Sequence, residues 1–496
     1  MERCTLLVAD IGSTITKVAA FAFSPKPHLK ITFLAQTGFP TTVNENDVSI
    51  GLNRAIAGLN DKHGLDTENA ELMAAASAAG GLRMSVHGLT RDMTLKAARE
   101  ASLGAGANIV LATSGLLTES DTAEIKVESP NLILLAGGVD YGDRKTVIEN
   151  AKAIAFSGLH IPVIYAGNSS AAKEVKEILL NTGIPVWTVE NVYPRLDELN
   201  VKPLREKIQD VFSEHIVTAP GMEKVKKMAS GRIIPTPAAV LRAAELLYTP
   251  LKDTVVIDVG GATTDVHSVT EGNPSLQSIK AGPEPFSKRT VEGDLGVFYN
   301  VQRIVESSGG NLKEITSVPA LPGKKSEIEN VKALTLWASR TALWRHAGEL
   351  KSIYGTNGKS DIIEGRDLTA VRAIIGTGGA LTRLGGGKKI LLSLRADPSG
   401  RKLLPGGLIG KGSALVSRRD IQRGYRKTTL RNTKTGIGPG KEPGLSVYID
   451  TEYIMAAAGV ISLKYPEEAL DVLLGSINGS IKPRINSDSE EMKRRQ

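Results

Sequence analysis

Val8-Ala-Asp10-Ile-Gly12-Ser13-Thr14-Ile-Thr16-Lys17-Val18 aligns without a gap on Val256-Ile-Asp258-Val-Gly260-Gly261-Ala262-Thr263-Thr264-Asp265-Val266. In each copy an apolar run ends at an aspartate, turns through glycine and small or hydroxyl residues, and resumes as a run of strand formers, the pattern of a β-hairpin. Glycine lets a turn approach a ligand closely, and turn amides with Ser or Thr hydroxyls supply donors for phosphate oxygens. One Asp-x-Gly turn is commonplace, but the same turn in both halves of a chain is an internal repeat and indicates a duplicated fold. The expected phosphate contacts are Gly12, Ser13, Thr14, Thr16 and Lys17 in the first copy and Gly260, Gly261, Ala262, Thr263 and Thr264 in the second. Asp10 and Asp258 suit Mg²⁺, which keeps several waters and takes few protein carboxylates. The copies differ where Lys17 aligns with Asp265: the first hairpin offers a cation to phosphate, the second an extra carboxylate to metal or water. Asp10, Asp258 and Asp265 are therefore the catalytic candidates.

A third element follows both hairpins. Ala373-Ile-Ile375-Gly376-Thr377-Gly378-Gly379-Ala380 reads as an apolar strand entering a glycine turn before a helix, a place where backbone lies against a nucleotide. Gly376, Thr377, Gly378 and Gly379 join the candidate binding residues.

Composition narrows the classes. With 496 residues the chain exceeds one hydrophobic core. Glycine is abundant at 51 residues and aromatics are scarce at 4%, favouring α/β layers joined by many turns. The net charge of +8 is concentrated between Lys388 and Lys441, yet no aromatic-basic or nucleic-acid motif accompanies it, so it reads as a solvated basic face. Cys4 is the sole cysteine, which excludes an internal disulfide and a cysteine metal site. The chain enters a strand directly and has no long uncharged apolar stretch, so no signal segment, no membrane span and a cytoplasmic location are expected.

The strands expected at Thr5–Asp10, Ile15–Phe23, Ile31–Gln36 and Glu71–Ala76, with a helix at Asp47–Leu59, make a first α/β unit. After a helix at Thr94–Leu103, apolar runs at Asn108–Ala112, Asn131–Ala136, Pro162–Ala166 and Pro185–Val189 alternate with helical stretches, the pattern of a doubly wound parallel sheet. A second unit begins at Thr254, with helices near Gly293–Ser307 and Ile328–Lys351, a strand at Lys389–Leu394, a basic loop at Arg418–Pro443 and terminal helices at Tyr453–Leu463 and Glu467–Leu474. The expected division is a first lobe 1–94, an inserted domain and connector 95–234, a second lobe 235–484 and a disordered tail 485–496.

Asp10 to Lys17 resembles the first phosphate motif of the actin-like ATPases, Asp258 to Asp265 the second, and Gly376 to Gly379 the adenosine motif. The resemblance implies a duplicated actin-like (ribonuclease H-like) fold with an inserted α/β domain. It also implies two lobes closing over Mg-ATP, with Lys17 on phosphate and Asp10 and Asp258 holding the metal's water shell. Ala76-Ser-Ala-Ala-Gly-Gly-Leu-Arg83, Leu134-Leu-Ala-Gly-Gly138, Asp258 to His267 and Arg289-Thr-Val-Glu-Gly-Asp-Leu-Gly296 resemble, in order and spread, the GlmL/MutL family of methylaspartate (glutamate) mutase accessory proteins, unrelated to the mismatch-repair protein of similar name. Members resemble reactivating factors that use ATP to release damaged cobalamin from adenosylcobalamin-dependent mutases. The implied cofactors are ATP and Mg²⁺, and the implied partners are subunits of such a mutase, glutamate mutase or an aminomutase. A homo-oligomer is compatible with the sequence.

A small-molecule kinase or hydantoinase-type ATP-dependent amidohydrolase shares similar phosphate turns, and a nucleotide-dependent filament or scaffold shares the fold. Gly358-Lys359-Ser360 and Gly410-Lys411 lack the leading glycine of a P-loop, having Ile353 and Pro405 there. Asp61-Lys-His63-Gly-Leu-Asp66 imitates a cobalamin signature but carries Asp66 where glycine is required, so no cobalamin ligation is expected. His267 reads as an ordinary strand residue, and Glu292 and Asp294 as charges preceding a helix.

Overall fold

Leu6–Ile11 (β1) is buried throughout, Ile15–Ser24 (β2) returns antiparallel to it, and Lys30–Pro40 (β3) completes a meander. The structure, a computed structural model, describes residues 2–24, 29–77, 82–215, 220–355, 358–408 and 444–479. The basic loop expected at Arg418–Pro443 and the tail expected from residue 485 lie outside the described residues. Val48–His63 (α1) starts where the Asp47 carboxylate accepts from the Ser49 amide and stops at Gly64, whose φ of 63° only glycine adopts readily. Its apolar stripe packs on β3, and Glu71–Ala76 (β4) runs parallel to β1.

The chain then builds a second sheet from Arg83–Gly88 (β5), Lys96–Gly104 (α2), Asn108–Ser114 (β6), Glu119–Glu128 (α3), Leu132–Leu135 (β7), Lys145–Phe156 (α4), Val163–Tyr165 (β8), Ala172–Leu180 (α5), Val186–Thr188 (β9) and Val201–His215 (α6). All five strands are parallel in the order β6-β5-β7-β8-β9, the 2-1-3-4-5 arrangement of flavodoxin-like doubly wound sheets. Ile133, Leu135, Val163 and Tyr165 pack one way with Ile125 of α3, Ile154 of α4 and Val175 of α5. Met84, Val86, Leu132 and Leu134 pack the other way with Ala98 of α2, Leu204 and Ile208 of α6, and with Leu7, Ala9 and Ile11 of β1. That single continuous core joins the insert to the first sheet.

β5 is absent from the expected elements. A strand buried on both faces of a parallel sheet is normally a continuous apolar run, whereas Arg83-Met-Ser85-Val-His87-Gly88 alternates with polar residues. The second sheet thus takes its first strand from Arg83–Gly88, ahead of residue 95, where the inserted domain is expected to begin. Ser85 and His87 are fully buried and satisfy one another: His87 Nδ1 bonds the Thr113 hydroxyl at 2.8 Å and Nε2 the Ser85 hydroxyl at 3.1 Å. Burial holds His87 neutral, pulling its pKa down to about 4 against a small opposing pull from Asp121. A histidine whose folded pKa lies below its unfolded value of about 6.5 contributes full stability above that value and loses it as pH falls through the folded pKa. The linked loss approaches about 3 kcal/mol between pH 6.5 and 4. His87→Gln, neutral throughout, should flatten that part of the profile, read as the urea midpoint at pH 7.5, 5.5 and 4.5; an unchanged acid slope would refute the assignment.

Ile234–Pro235 (β10) pairs with β4, giving the first sheet the order β10-β4-β1-β2-β3, and leads into Thr236–Leu251 (α7). The second unit repeats the plan. Thr254–Val259 (β11), Thr264–Val269 (β12) and Ser287–Glu292 (β13) form an antiparallel meander, Lys325–His346 (α8) covers it, and Ala373–Thr377 (β14) and Ser446–Ile449 (β15) add in parallel. The order β13-β12-β11-β14-β15 matches the first sheet position for position. Val255, Ile257, Val259 and Val266 pack there with Leu334, Ala338 and Ala342 of α8.

Compact units comprise residues 1–243 with 454–475, and residues 244–453. Met455–Ile461 (α9), expected with the second lobe, packs on β1 and β4 of the first unit, where Gly459 approaches Ala239 so closely that a Cβ would lie 1.8 Å from its carbonyl oxygen. Of the helix expected at Gly293–Ser307, Val301–Ser307 alone is helical. The strand expected at Lys389–Leu394 is a short helix, Gly387–Leu392, entered through Gly386 at φ 84°. Short apolar runs do not distinguish helix from strand by period.

Candidate functional site

The first hairpin places Asp10 opposite Lys17 in register. Lys17 Nζ lies 2.7 Å from Asp10 Oδ2, and the Thr236 hydroxyl, at the start of α7, donates to Asp10 Oδ1 at 2.6 Å. In the turn, Gly12 closes the hairpin by donating to Ile15 O, and a Cβ there would meet that oxygen at 2.7 Å. The Gly12 carbonyl accepts from Thr41 Oγ1 at 2.8 Å and the Thr14 carbonyl from the Thr41 amide at 2.9 Å, while the Ser13 hydroxyl donates to Ser77 O at 3.1 Å. With the carbonyls so engaged, the amides of Ser13 and Thr14 have no acceptor among the described residues. Thr16 corrects the sequence expectation. It is fully buried on the face opposite Lys17, and its hydroxyl bonds Thr41 Oγ1 at 3.0 Å, so it is not available to a phosphate.

The second hairpin repeats this geometry with different partners. Gly260 N donates to Thr263 O. The turn carbonyls are taken from outside: Val297 N donates to Gly260 O, Phe298 N and Tyr299 N to Gly261 O, and Asn300 Nδ2 to Ala262 O. Gly296 makes this approach sterically feasible, since a Cβ would lie 2.2 Å from the Ala262 carbonyl. The amides of Gly261, Ala262 and Thr263 have no acceptor among the described residues. Thr264, like Thr16, is buried and donates to Leu295 O at 2.7 Å, which removes it from the expected phosphate contacts. Asp265 is not a free carboxylate: Arg289 holds its Oδ1 at 2.6 and 2.7 Å, and Thr263 Oγ1 donates to its Oδ2 at 3.0 Å.

The glycine segment lies beside the second hairpin because β14 pairs with β11, Thr377 opposite Asp258. Gly378, at φ 86°, passes so near that a Cβ would stand 2.5 Å from Asp258 Oδ1 and 2.4 Å from Val259 O, which reserves the position for glycine. Gly379 has open space around its Cα. Gly376 and Thr377 serve the interior: a Cβ on Gly376 would strike Ile449 and Leu391, and the Thr377 hydroxyl donates to the buried Asp450 at 2.9 Å.

Other polar groups prove structural. His267 is fully buried, neither ring nitrogen has a hydrogen-bond partner among the described residues, and burial pulls its pKa down to about 3. Arg345 of α8 bonds Glu292 at 2.7 Å and Asp294 at 2.8 Å. Burial pushes the Glu292 carboxyl up while Arg345 holds Asp294 below its ordinary value. Among the described residues no three His, Cys, Asp or Glu side chains form a metal cluster, so an ion at Asp10 or Asp258 would draw most of its coordination from water and a bound phosphate. No helix of the described residues is long and apolar enough to cross a membrane. Sequence reading missed Thr236, Thr41, Arg289 and Asn300. Arg289 and Gly296 bound the segment that carried the family resemblance, but what they touch depends on β13 folding back on β12.

Two units, each a 3-2-1-4-5 sheet led by a glycine-turned hairpin, define a protein of the duplicated ribonuclease H-like fold shared by the actin-like proteins. A family model described as MutL protein matches residues 6–408. Over 493 residues the chain is 34% identical to Protein MutL of Clostridium tetanomorphum, covering 94% of this chain and 98% of that one. The chain belongs to the MutL protein family. Among solved structures it is similar to nucleotide-free acetone carboxylase, with 11% identity, TM-score 0.32, 77% of this chain and 66% of that one. It is also similar to nucleotide-free diol dehydratase-reactivating factor, with 10% identity, TM-score 0.28, and 78% and 94% of the two chains. At these values the structural likenesses add no weight to the assignment.

Proposed function

We propose that this protein is a cytoplasmic, ATP-dependent reactivating factor for an adenosylcobalamin-dependent mutase, glutamate mutase or an aminomutase, from which it releases damaged cobalamin. The observation that carries the nucleotide half is the same turn in each unit, with carbonyls engaged, two or three amides that have no acceptor among the described residues, and an aspartate at the preceding strand end. Each donor set by itself fits phosphate: the amides of Ser13 and Thr14 in the first unit, and those of Gly261, Ala262 and Thr263 in the second, would bind phosphate oxygens, and Asp10 and Asp258 would each suit the water shell of Mg²⁺. ATP supplies a transferable phosphoryl group, and Lys17 balances phosphate charge on leaving Asp10. Gly378 and Gly379 offer bare backbone to the nucleoside.

Family membership over nearly the whole chain supports the mutase half. The insert contributes an α/β domain with exposed Leu116, Tyr141 and Leu196 on the loops that follow β6, β7 and β9, at the carboxyl edge of its sheet. It would engage the mutase there, competing with the mutase's own cobalamin-binding subunit. Isothermal calorimetry of the full chain should show saturable binding of ATP that depends on Mg²⁺, with slow hydrolysis. No heat with either ATP or ADP would overturn the reading.

A further inference from the structure

The hairpins differ most at the residue facing the metal-side aspartate. Lys17 faces Asp10 in the first; Asp265 faces Asp258 in the second. Carboxylates directly opposed on neighbouring antiparallel strands repel, and the third strand supplies the counter-charge. Arg289 of β13 is the register partner of His267 and reaches diagonally to Asp265. Both residues are buried, and Arg289 approaches Asp265 Oδ1 through Nε and a terminal nitrogen. The second oxygen, Oδ2, accepts the Thr263 hydroxyl proton at 3.0 Å.

That direction of donation changes what Thr263 can do. A hydroxyl has one proton and two lone pairs. With its proton committed to Asp265, Thr263 presents only lone pairs to the turn's open side, and these accept a hydrogen from water rather than donate to a phosphate oxygen. We infer that Arg289 is a positioning residue which, through Asp265, fixes the Thr263 hydroxyl as the acceptor that orients the attacking water for hydrolysis. Arg289 also occupies Asp265 Oδ1, leaving Asp258 as the metal-side carboxylate of this hairpin. The inference rests on the nucleotide reading above and assigns a residue to water positioning within it.

Steady-state Mg-ATP hydrolysis by the full chain tests it, with R289K, T263V, T263S and the double variant R289K/T263V, each checked by thermal melt. A group that orients water lowers kcat without weakening nucleotide binding, so R289K and T263V should each lose about tenfold or more in kcat with KM within about twofold. T263S, which keeps the hydroxyl, should retain most activity. The double variant should be no slower than the slower single variant, because both break one chain of contacts. A raised KM at wild-type kcat, or losses that multiply, overturns the inference. If R289K fails to fold, T263V decides alone, since its side chain stands on the turn; wild-type kcat in T263V overturns the inference. Failure of the wild type to bind Mg-ATP instead overturns the nucleotide reading, which calorimetry separates from these outcomes.

Discussion

On the proposed function, Asp10→Asn is expected to lower kcat for Mg-ATP hydrolysis by about two orders of magnitude, the scale seen when a group that stabilises developing charge beside a reacting phosphate is removed. The substitution preserves shape, and the amide oxygen still accepts from the Thr236 hydroxyl, so the anchor between the first turn and the start of α7 survives. What disappears is negative charge at the strand end and the partner of Lys17. Lys17 can swing its ammonium toward water on a flexible stem, so the stability loss should stay near 1–2 kcal/mol, below the roughly 3–5 kcal/mol of a fully enclosed pair. Magnesium-dependent turnover and urea unfolding of the same preparation separate the two effects. Turnover within threefold of wild type would remove Asp10 from the site.

The second large effect concerns the partner. Tyr141→Asp combined with Leu196→Asp should slow ATP-driven release of hydroxocobalamin from inactivated mutase at least tenfold while leaving ATP turnover within about twofold. Tyr141 is 87% exposed and Leu196 69% exposed, in loops after β7 and β9. The Tyr141 loop is held from beneath: Asn168 Oδ1 accepts from the Tyr141 amide, its Nδ2 donates to the carbonyls of Gly142 and Asp143, and Asn191 Nδ2 bridges Gly138 O and Asp140. Tyr141 sits at φ 62°, a left-handed conformation that a non-glycine residue keeps only where surrounding contacts hold it. Each apolar side chain covered at an interface contributes about 1.5–3 kcal/mol, and a buried carboxylate reverses that. Deleting the insert would be a poor test, because Leu132, Leu134, Leu204 and Ile208 share one core with Leu7, Ala9 and Ile11. Release at the wild-type rate from the double variant would show that the partner contacts another surface.

Local pattern alone determined the two hairpins, the alternation that builds the insert and the glycine strand end at Gly376–Gly379. Turns and strand periodicity are written in neighbouring residues, and a duplicated turn is visible by alignment of the chain with itself. Asp10, Lys17, Asp258 and Gly378 could be singled out on that basis. Tertiary structure decided which of the turn residues face outward: Thr16, Thr264 and Thr377 carry the right hydroxyls, yet the pleat and the neighbouring strands direct each into the interior, to Thr41, Leu295 and Asp450. It also decided that β5, polar in sequence, is a central strand, because Thr113 of β6 satisfies its histidine from across the sheet. Asp265 read as a free carboxylate until Arg289, 24 residues later, folded back onto it. A side chain's type is local, but its charge balance and hydrogen-bonding direction depend on what the fold brings within 3 Å, and no spacing along the chain encodes that distance.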